Sequence, residues 1–139
     1  MGTEIEAEFL GQGTIEEQQP WRGRGDPRLL RRLIRNLLEN AKRHGAAPIE
    51  VTIRRVHQHG RTAVELSVRD HGVGVPDSEQ EKIFDPFYRM AGATATGTGL
   101  GLSLVRQIAR KHSGEAHCDR AAGGGTRITV TLASAEHVP

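Results

Sequence analysis

Residues 26 to 44 limit the folds open to this chain more than any other stretch. Asp26 followed by Pro27 reads as a helix start: an N-cap acceptor, then a residue whose fixed φ and missing N–H suit the first turn. Gly45 is the matching stop. With Asn36 set at zero on a wheel of about 100° per residue, Leu30, Leu33, Ile34, Leu37, Leu38 and Ala41 fall between roughly 60° and 200°. Arg28, Arg31, Arg32, Arg35, Glu39 and Lys42 fall between roughly 220° and 320°. Asn40 and Arg43 lie within about 40° of Asn36, on the border of the two sectors. A helix with one apolar face must bury it against another layer.

Strands are the natural second layer. Ile49 to Val56 and Thr62 to Val68 are β-branched, alternating runs joined by His57-Gln58-His59-Gly60, which predicts a hairpin. Glu115 to Asp119 and Arg127 to Leu132 predict a second pair, linked across Gly123-Gly124-Gly125. Ile5 to Leu10 alternates as an edge strand would, and the turn-rich stretch from Gly11 to Gly25 leaves room for a short strand around Trp21. A second helix is predicted from Thr98 to His112. Its apolar residues Leu100, Leu104, Val105 and Ile108 share a face, with Arg110, Lys111 and His112 in the last turn. Val75 to Thr96 reads as loop, apart from an amphipathic piece over Asp77 to Ile83. The 139 residues suit one domain, and an apolar fraction of 36% suits one modest core. The expected class is α+β: a two-layer α/β sandwich with a mixed or antiparallel sheet of about five strands and about three helices on one face.

Composition excludes several functions. Cys118 is the single cysteine, which rules out an internal disulfide or a cysteine metal site within the chain. With no apolar run near about 18 residues and no basic-then-apolar leader, neither a membrane span nor a secretory signal is expected. A net charge of +2 and a pI of about 9.1 invite a nucleic-acid reading. The charge is instead a dipole along the chain. Residues 1–20 hold five acids and no Lys or Arg, and residues 22–43 hold eight Lys or Arg against Asp26 and Glu39. A solvated helix face accounts for that, and no recognition-helix motif accompanies it.

Three local patterns carry chemistry. Asn36 and Asn40 are poor helix formers placed one turn apart, either boundary residues making hydrogen bonds or neutral oxygen ligands for a hard cation such as Mg²⁺. Arg43, one turn later, suits a phosphate. Asp70-His71-Gly72-Val73-Gly74 follows a strand, either a plain turn or a carboxylate that accepts from a purine amine beside closely approaching backbone. Gly97-Thr98-Gly99-Leu100-Gly101-Leu102 opens a helix, either a flexible loop or N–H groups that cradle a phosphate chain. It is not the dinucleotide fingerprint, and no Gly-Lys pair exists to make a P-loop. Of the five aromatics, Phe84, Phe87 and Tyr88 fall within five residues, where they would anchor a loop whose following small residues let it swing.

Taken in order, Asn36-Leu37-Leu38-Glu39-Asn40-Ala41, Asp70-His71-Gly72-Val73-Gly74, Phe84-Asp85-Pro86-Phe87-Tyr88-Arg89 and Gly97-Thr98-Gly99-Leu100-Gly101-Leu102 closely resemble the N, G1, F and G2 boxes of sensor histidine kinases. The resemblance runs from about Gly25 to Leu132. It implies a single catalytic, ATP-binding domain over 1–139 (core about 25–132), with the Bergerat sandwich shared by gyrase-type and Hsp90-type ATPases and an ATP lid over about 75–96.

The family's roles transfer by position. Asn40 matches the Mg²⁺ ligand, with Asn36 supporting the metal–phosphate region. Arg43 and His44 match positions facing phosphate and nucleotide. Asp70 matches the adenine-reading carboxylate, with Gly72 and Gly74 shaping the pocket. Tyr88 and Arg89 match lid residues, the arginine reaching for the γ-phosphate. Gly97, Thr98, Gly99, Leu100, Gly101 and Leu102 would hold the triphosphate, and Thr126 resembles the threonine near the adenine. Where hydrolysing relatives carry a general-base glutamate, this chain has Asn36, so efficient hydrolysis is not expected. None of the seven histidines is followed by Asp or Glu, as the family's acceptor histidine is. The resemblance therefore implies Mg·ATP as cofactor and transfer of its γ-phosphoryl group to a histidine on a separate dimerisation domain, for relay to a response regulator. The setting would be the cytoplasmic part of a membrane-bound, homodimeric sensor, with no nucleic-acid or membrane contact by this segment, itself a monomer. The alternative is a serine-kinase anti-sigma factor or an ATPase of the same superfamily.

Overall fold

A computed structural model describes residues 14–16, 26–58, 60–88 and 100–133. The expected strand at Ile5 to Leu10 and the one around Trp21 lie outside these. Instead a strand β1 forms at Thr14–Glu16, inside the stretch read as turns. Helix α1 spans Pro27–His44 as the caps require, with the Asp26 carboxylate accepting from the Arg28 N–H at 2.9 Å and Gly45 N–H closing on Ala41 O at 3.0 Å.

Strands β2 (Glu50–Gln58) and β3 (Arg61–Arg69) form the expected hairpin, with Glu50 opposite Arg69 and Gln58 opposite Arg61. After β3 the chain makes two short 3-10 turns, Asp77–Glu79 and Lys82–Phe84, where a longer amphipathic piece was expected. Helix α2 spans Gly101–Lys111. Strands β4 (Glu115–Arg120) and β5 (Thr126–Ala133) complete one sheet in the order β1-β2-β3-β5-β4, antiparallel except for β1 beside β2. The class is α+β with a mixed five-stranded sheet. Among the described residues the helices are two α-helices and two 3-10 turns.

Period-two alternation puts Val51, Ile53, Val64, Leu66, Val68, Ile128, Val130, Leu132, Ala116 and Cys118 on one sheet face. All six apolar residues expected on the inner face of α1 are buried there, joined by Val105, Ile108 and Ala109 of α2. Leu100 is an exception: its register places it at the α2 entrance, 39% exposed. Leu33 and Leu37 are wholly enclosed, so truncating either to alanine costs about 2–5 kcal/mol.

The helices run antiparallel and are pinned at both ends. At one, His112 Nδ1 bonds Ile108 O at 2.8 Å and its Nε2 accepts from Asp26 N–H at 3.2 Å. At the other, Asn36 reaches the first residue of α2. Burial, with the Asp119 and Asp70 carboxylates nearby, pushes the Cys118 thiol up to about 12, an inert core group. Among the described residues no helix is long and apolar enough to cross a membrane.

Candidate nucleotide site

The C-terminal end of α1, the end of β3 and the start of β5 converge on Asp70. Asp70 is 5% exposed as a residue, and no Lys or Arg pairs with it among the described residues. Oδ1 accepts from Gly72 N–H at 2.8 Å and, at 3.4 Å, from Thr126 N–H, while the Asp70 N–H donates to Thr126 O at 2.9 Å. These bonds leave Oδ2 without a partner among the described residues. Among the described residues the fully buried side-chain atoms without a partner are Arg69 Nε and Arg106 Nε, so Oδ2 reaches the surface, where a ligand donor has access to it.

Backbone approach makes this enclosure possible. A Cβ on Gly45 would lie 2.2 Å from the Asp70 Cγ, and one on Gly125 would lie 1.9 Å from the Asp70 carbonyl oxygen. Gly125 also adopts φ +87, a conformation side chains resist. Gly45 read only as a helix stop and Gly125 only as part of a turn. Their contacts with Asp70 bridge 25 and 55 positions of sequence, beyond any local signal. Gly74, at φ +89, packs towards the Gly125 carbonyl, 3.3 Å from where its Cβ would lie. His71 N–H donates to Ala46 O at 2.8 Å and so ties this loop to the chain leaving α1.

The helix-borne candidates look different. Asn40 is half-buried and makes no hydrogen bond among the described residues. Arg43 and His44 are exposed on the last turn of α1. Asn36 Nδ2–H donates to Gly101 O at 3.3 Å, so this residue joins the N-box helix to the start of α2 and does not hang free. Glu39 is exposed on the solvent side of α1, as the wheel requires of it. Among the described residues no side chain caps the α2 N-terminus, which begins after Leu100, with Leu102 half-buried behind it. Uncapped N–H groups suit an anion. Arg89, Gly97, Thr98 and Gly99 lie outside the described residues.

The aromatic segment is only partly the anchor expected of it. Phe84 is buried, but Phe87 is 69% exposed at φ +65. The Tyr88 hydroxyl donates to Glu79, and burial together with that carboxylate pushes it up to about 12. A residue that the sequence left unremarked does the anchoring. Arg106 of α2 stacks 4.2 Å from the Phe84 ring centre, pairs with Glu81, donates to Ala116 O at 2.8 Å and lies 3.1 Å from Glu115.

Among the described residues no three His, Cys, Asp or Glu side chains cluster as a metal cage. A lone unengaged amide fits Mg²⁺ held chiefly by phosphate oxygens and water, and does not fit zinc or calcium.

Residues 25–136 match the HATPase_c family, described as histidine kinase-, DNA gyrase B- and HSP90-like ATPase. Over 108 residues the chain is 38% identical to the sensor-type histidine kinase PrrB of Mycobacterium tuberculosis, covering 78% of this chain and 24% of that protein. Over 120 residues it is 32% identical to the signal transduction histidine-protein kinase AfsQ2 of Streptomyces coelicolor, covering 85% and 22%. The chain thus spans about a quarter of the length of these relatives. A solved mycobacterial sensor histidine kinase MprB superposes with a TM-score of 0.73 at 31% identity, covering 96% of this chain and 91% of that one. The ATP-binding domain of PrrB from Mycobacterium tuberculosis superposes at 0.64 and 28% identity, covering 97% and 90%.

Proposed function

The chain belongs to the family of histidine kinase-, DNA gyrase B- and HSP90-like ATPases, and we propose that it is the ATP-binding catalytic domain of a two-component sensor histidine kinase, built on the Bergerat sandwich. It binds Mg·ATP and, within a longer parent, passes the γ-phosphoryl group to a histidine on a separate dimerisation domain, for relay to a response regulator. The γ-phosphorus bond to the bridging oxygen breaks, a nitrogen–phosphorus bond forms, ADP leaves and the imidazole proton goes to solvent.

The observation that supports this reading is Asp70, 5% exposed, with no cation partner among the described residues and with Oδ2 open at the surface to a ligand donor. An adenine amino group supplies the missing donor, and guanine, with a carbonyl there, does not. Thr126 lines the same corner through its backbone. Asn40 is the metal ligand and Asn36 orients the α2 entrance towards the phosphates. Bound Mg²⁺ would neutralise developing charge on the transferred group. Arg43 and the α2 N–H groups act on the same charge by position alone. Position 36 carries no carboxylate and Glu39 faces solvent, so water activation has no base on this helix and the phosphoryl group is kept for transfer. The lid is assigned to about 75–96, with Tyr88 and Arg89 as its nucleotide-facing residues.

Calorimetry with a non-hydrolysable ATP analogue tests the assignment. With Mg²⁺ in excess the wild type binds and Asn40→Ala loses the Mg-dependent part of the affinity while its thermal midpoint is kept. Equal affinity in the two proteins would overturn the ligand role. A supplied dimerisation domain is expected to acquire an acid-labile phosphoryl group, and an acid-stable product would point to serine instead.

A further inference from the structure

We infer that Arg69, a residue the nucleotide reading does not use, is a positioning residue for base recognition: it braces the 121–125 turn against the strand end that carries Asp70. The inference rests on the nucleotide reading above. The turn between β4 and β5 holds three consecutive glycines at φ +88, +107 and +87. Its own backbone contributes two bonds, Gly124 N–H to Ala121 O at 3.0 Å and Ala121 N–H to Gly125 O at 3.1 Å. Glycine backbone has the most conformations to lose, so such a turn needs outside support to hold one of them.

Arg69 supplies it. One Nη2 group donates to Ala122 O at 2.9 Å and to Gly124 O at 3.0 Å, across 53 and 55 positions of sequence. The other, Nη1, lies 3.9 Å from Glu50 of β2. Glu50 is also 3.4 Å from His71 Nε2, and His71 Nδ1 bonds Pro48 O at 2.7 Å. The residues on either side of Asp70 therefore meet at Glu50, on the sheet face opposite the one Asp70 serves. The turn they hold delivers Gly125 against the Asp70 carbonyl and Thr126 N–H onto Oδ1. If the turn drifts, the carboxylate loses a donor and its aim.

The test compares wild type, Arg69→Ala and Arg69→Lys by calorimetry with ATP, GTP and ADP in excess Mg²⁺, well below the unfolding temperature. Amide hydrogen exchange of the nucleotide-free proteins over 122–126 accompanies it. The alanine variant is expected to lose about tenfold of the ATP-over-GTP preference, the worth of a forked charged hydrogen bond. Its ATP-over-ADP ratio stays at the wild-type value, and exchange at 122–126 quickens. Lysine, a point cation without the planar fork, falls between. A merely structural role would weaken all three nucleotides together and leave both ratios alone. Where the alanine variant does not fold, Arg69→Gln serves, with the same direction expected. An unchanged ATP-over-GTP ratio with unchanged exchange would overturn the brace. A wild type that binds no nucleotide would overturn the Mg·ATP reading instead, and the exchange rates would still decide the brace.

Discussion

Asp70 is wrapped by backbone from Gly45, Gly72 and Gly125, whereas Asn40, one helix end away, has no hydrogen-bond partner among the described residues. Arg43 and His44 beside it stand in solvent. The two regions are asked for different things. A flat base is recognised by one or two hydrogen bonds whose direction matters, and direction is held only by a rigid frame. A metal-bound phosphate chain is held by charge, which falls off slowly with distance and tolerates side chains that settle on arrival. On the proposed reading these are the base and phosphate ends, and among the described residues the first is enclosed by backbone while the second is not.

Gly125→Ala should break that contrast most severely. The new Cβ meets the Asp70 carbonyl at 1.9 Å and the backbone is at φ +87, so a loss of about 3 kcal/mol or more is expected in chemical denaturation. A comparable substitution at the open end, Asn40→Ala, should leave the denaturation curve nearly unmoved. Asp70→Asn comes next. An amide keeps one acceptor for Gly72 N–H but is uncharged and can present a donor towards the adenine amine. ATP affinity is expected to fall about a hundredfold in calorimetry, with the guanine discrimination reduced. An unchanged preference would remove Asp70 from base recognition.

The smallest effect concerns neither end but the aromatic segment between them. The Arg106 guanidinium, as a hydrogen-bond partner first of all, holds the Glu81 carboxyl below its ordinary 4.5. The native state therefore binds fewer protons there than the unfolded chain. The stability this contributes is present above pH 4.5 and is lost as the pH falls through the lowered native value. Glu81→Gln is expected to lower stability slightly at neutral pH and to leave it unchanged in strong acid, flattening the acid limb of a stability–pH curve; the effect is small since the carboxylate is largely solvated.

What could be read from residues alone follows the range of the interactions. The α1 caps, the hairpin β2–β3 and the β4–β5 pair depend on neighbours within one or two turns, and all lie within a residue or two of expectation. The strand Thr14–Glu16 was not legible, because three residues become a strand only by lying parallel to β2. Leu100 and Phe87 were assigned to the interior by periodicity and clustering, yet each sits where an element has just begun or ended and its face is no longer set. In the candidate site, Asp70 and Asn40 announced themselves by type and spacing. Arg69, Glu50, Gly45 and Arg106 did not, since each acts on a partner brought near only by the sheet or the helix pair.

Helix α1 carries Asn36 and Asn40 on its flank and ends in the glycine on which Asp70 rests. Asn40 and Gly45 are five positions apart, about 7.5 Å of helix axis. On the proposed reading, the same rod would gauge the span from base to phosphate. A ligand is accepted not only for what its two ends are but for how far apart they sit. A one-residue insertion in that last turn would swing the amide by about 100° relative to the glycine and leave both recognition groups intact but calibrated to a molecule that does not exist.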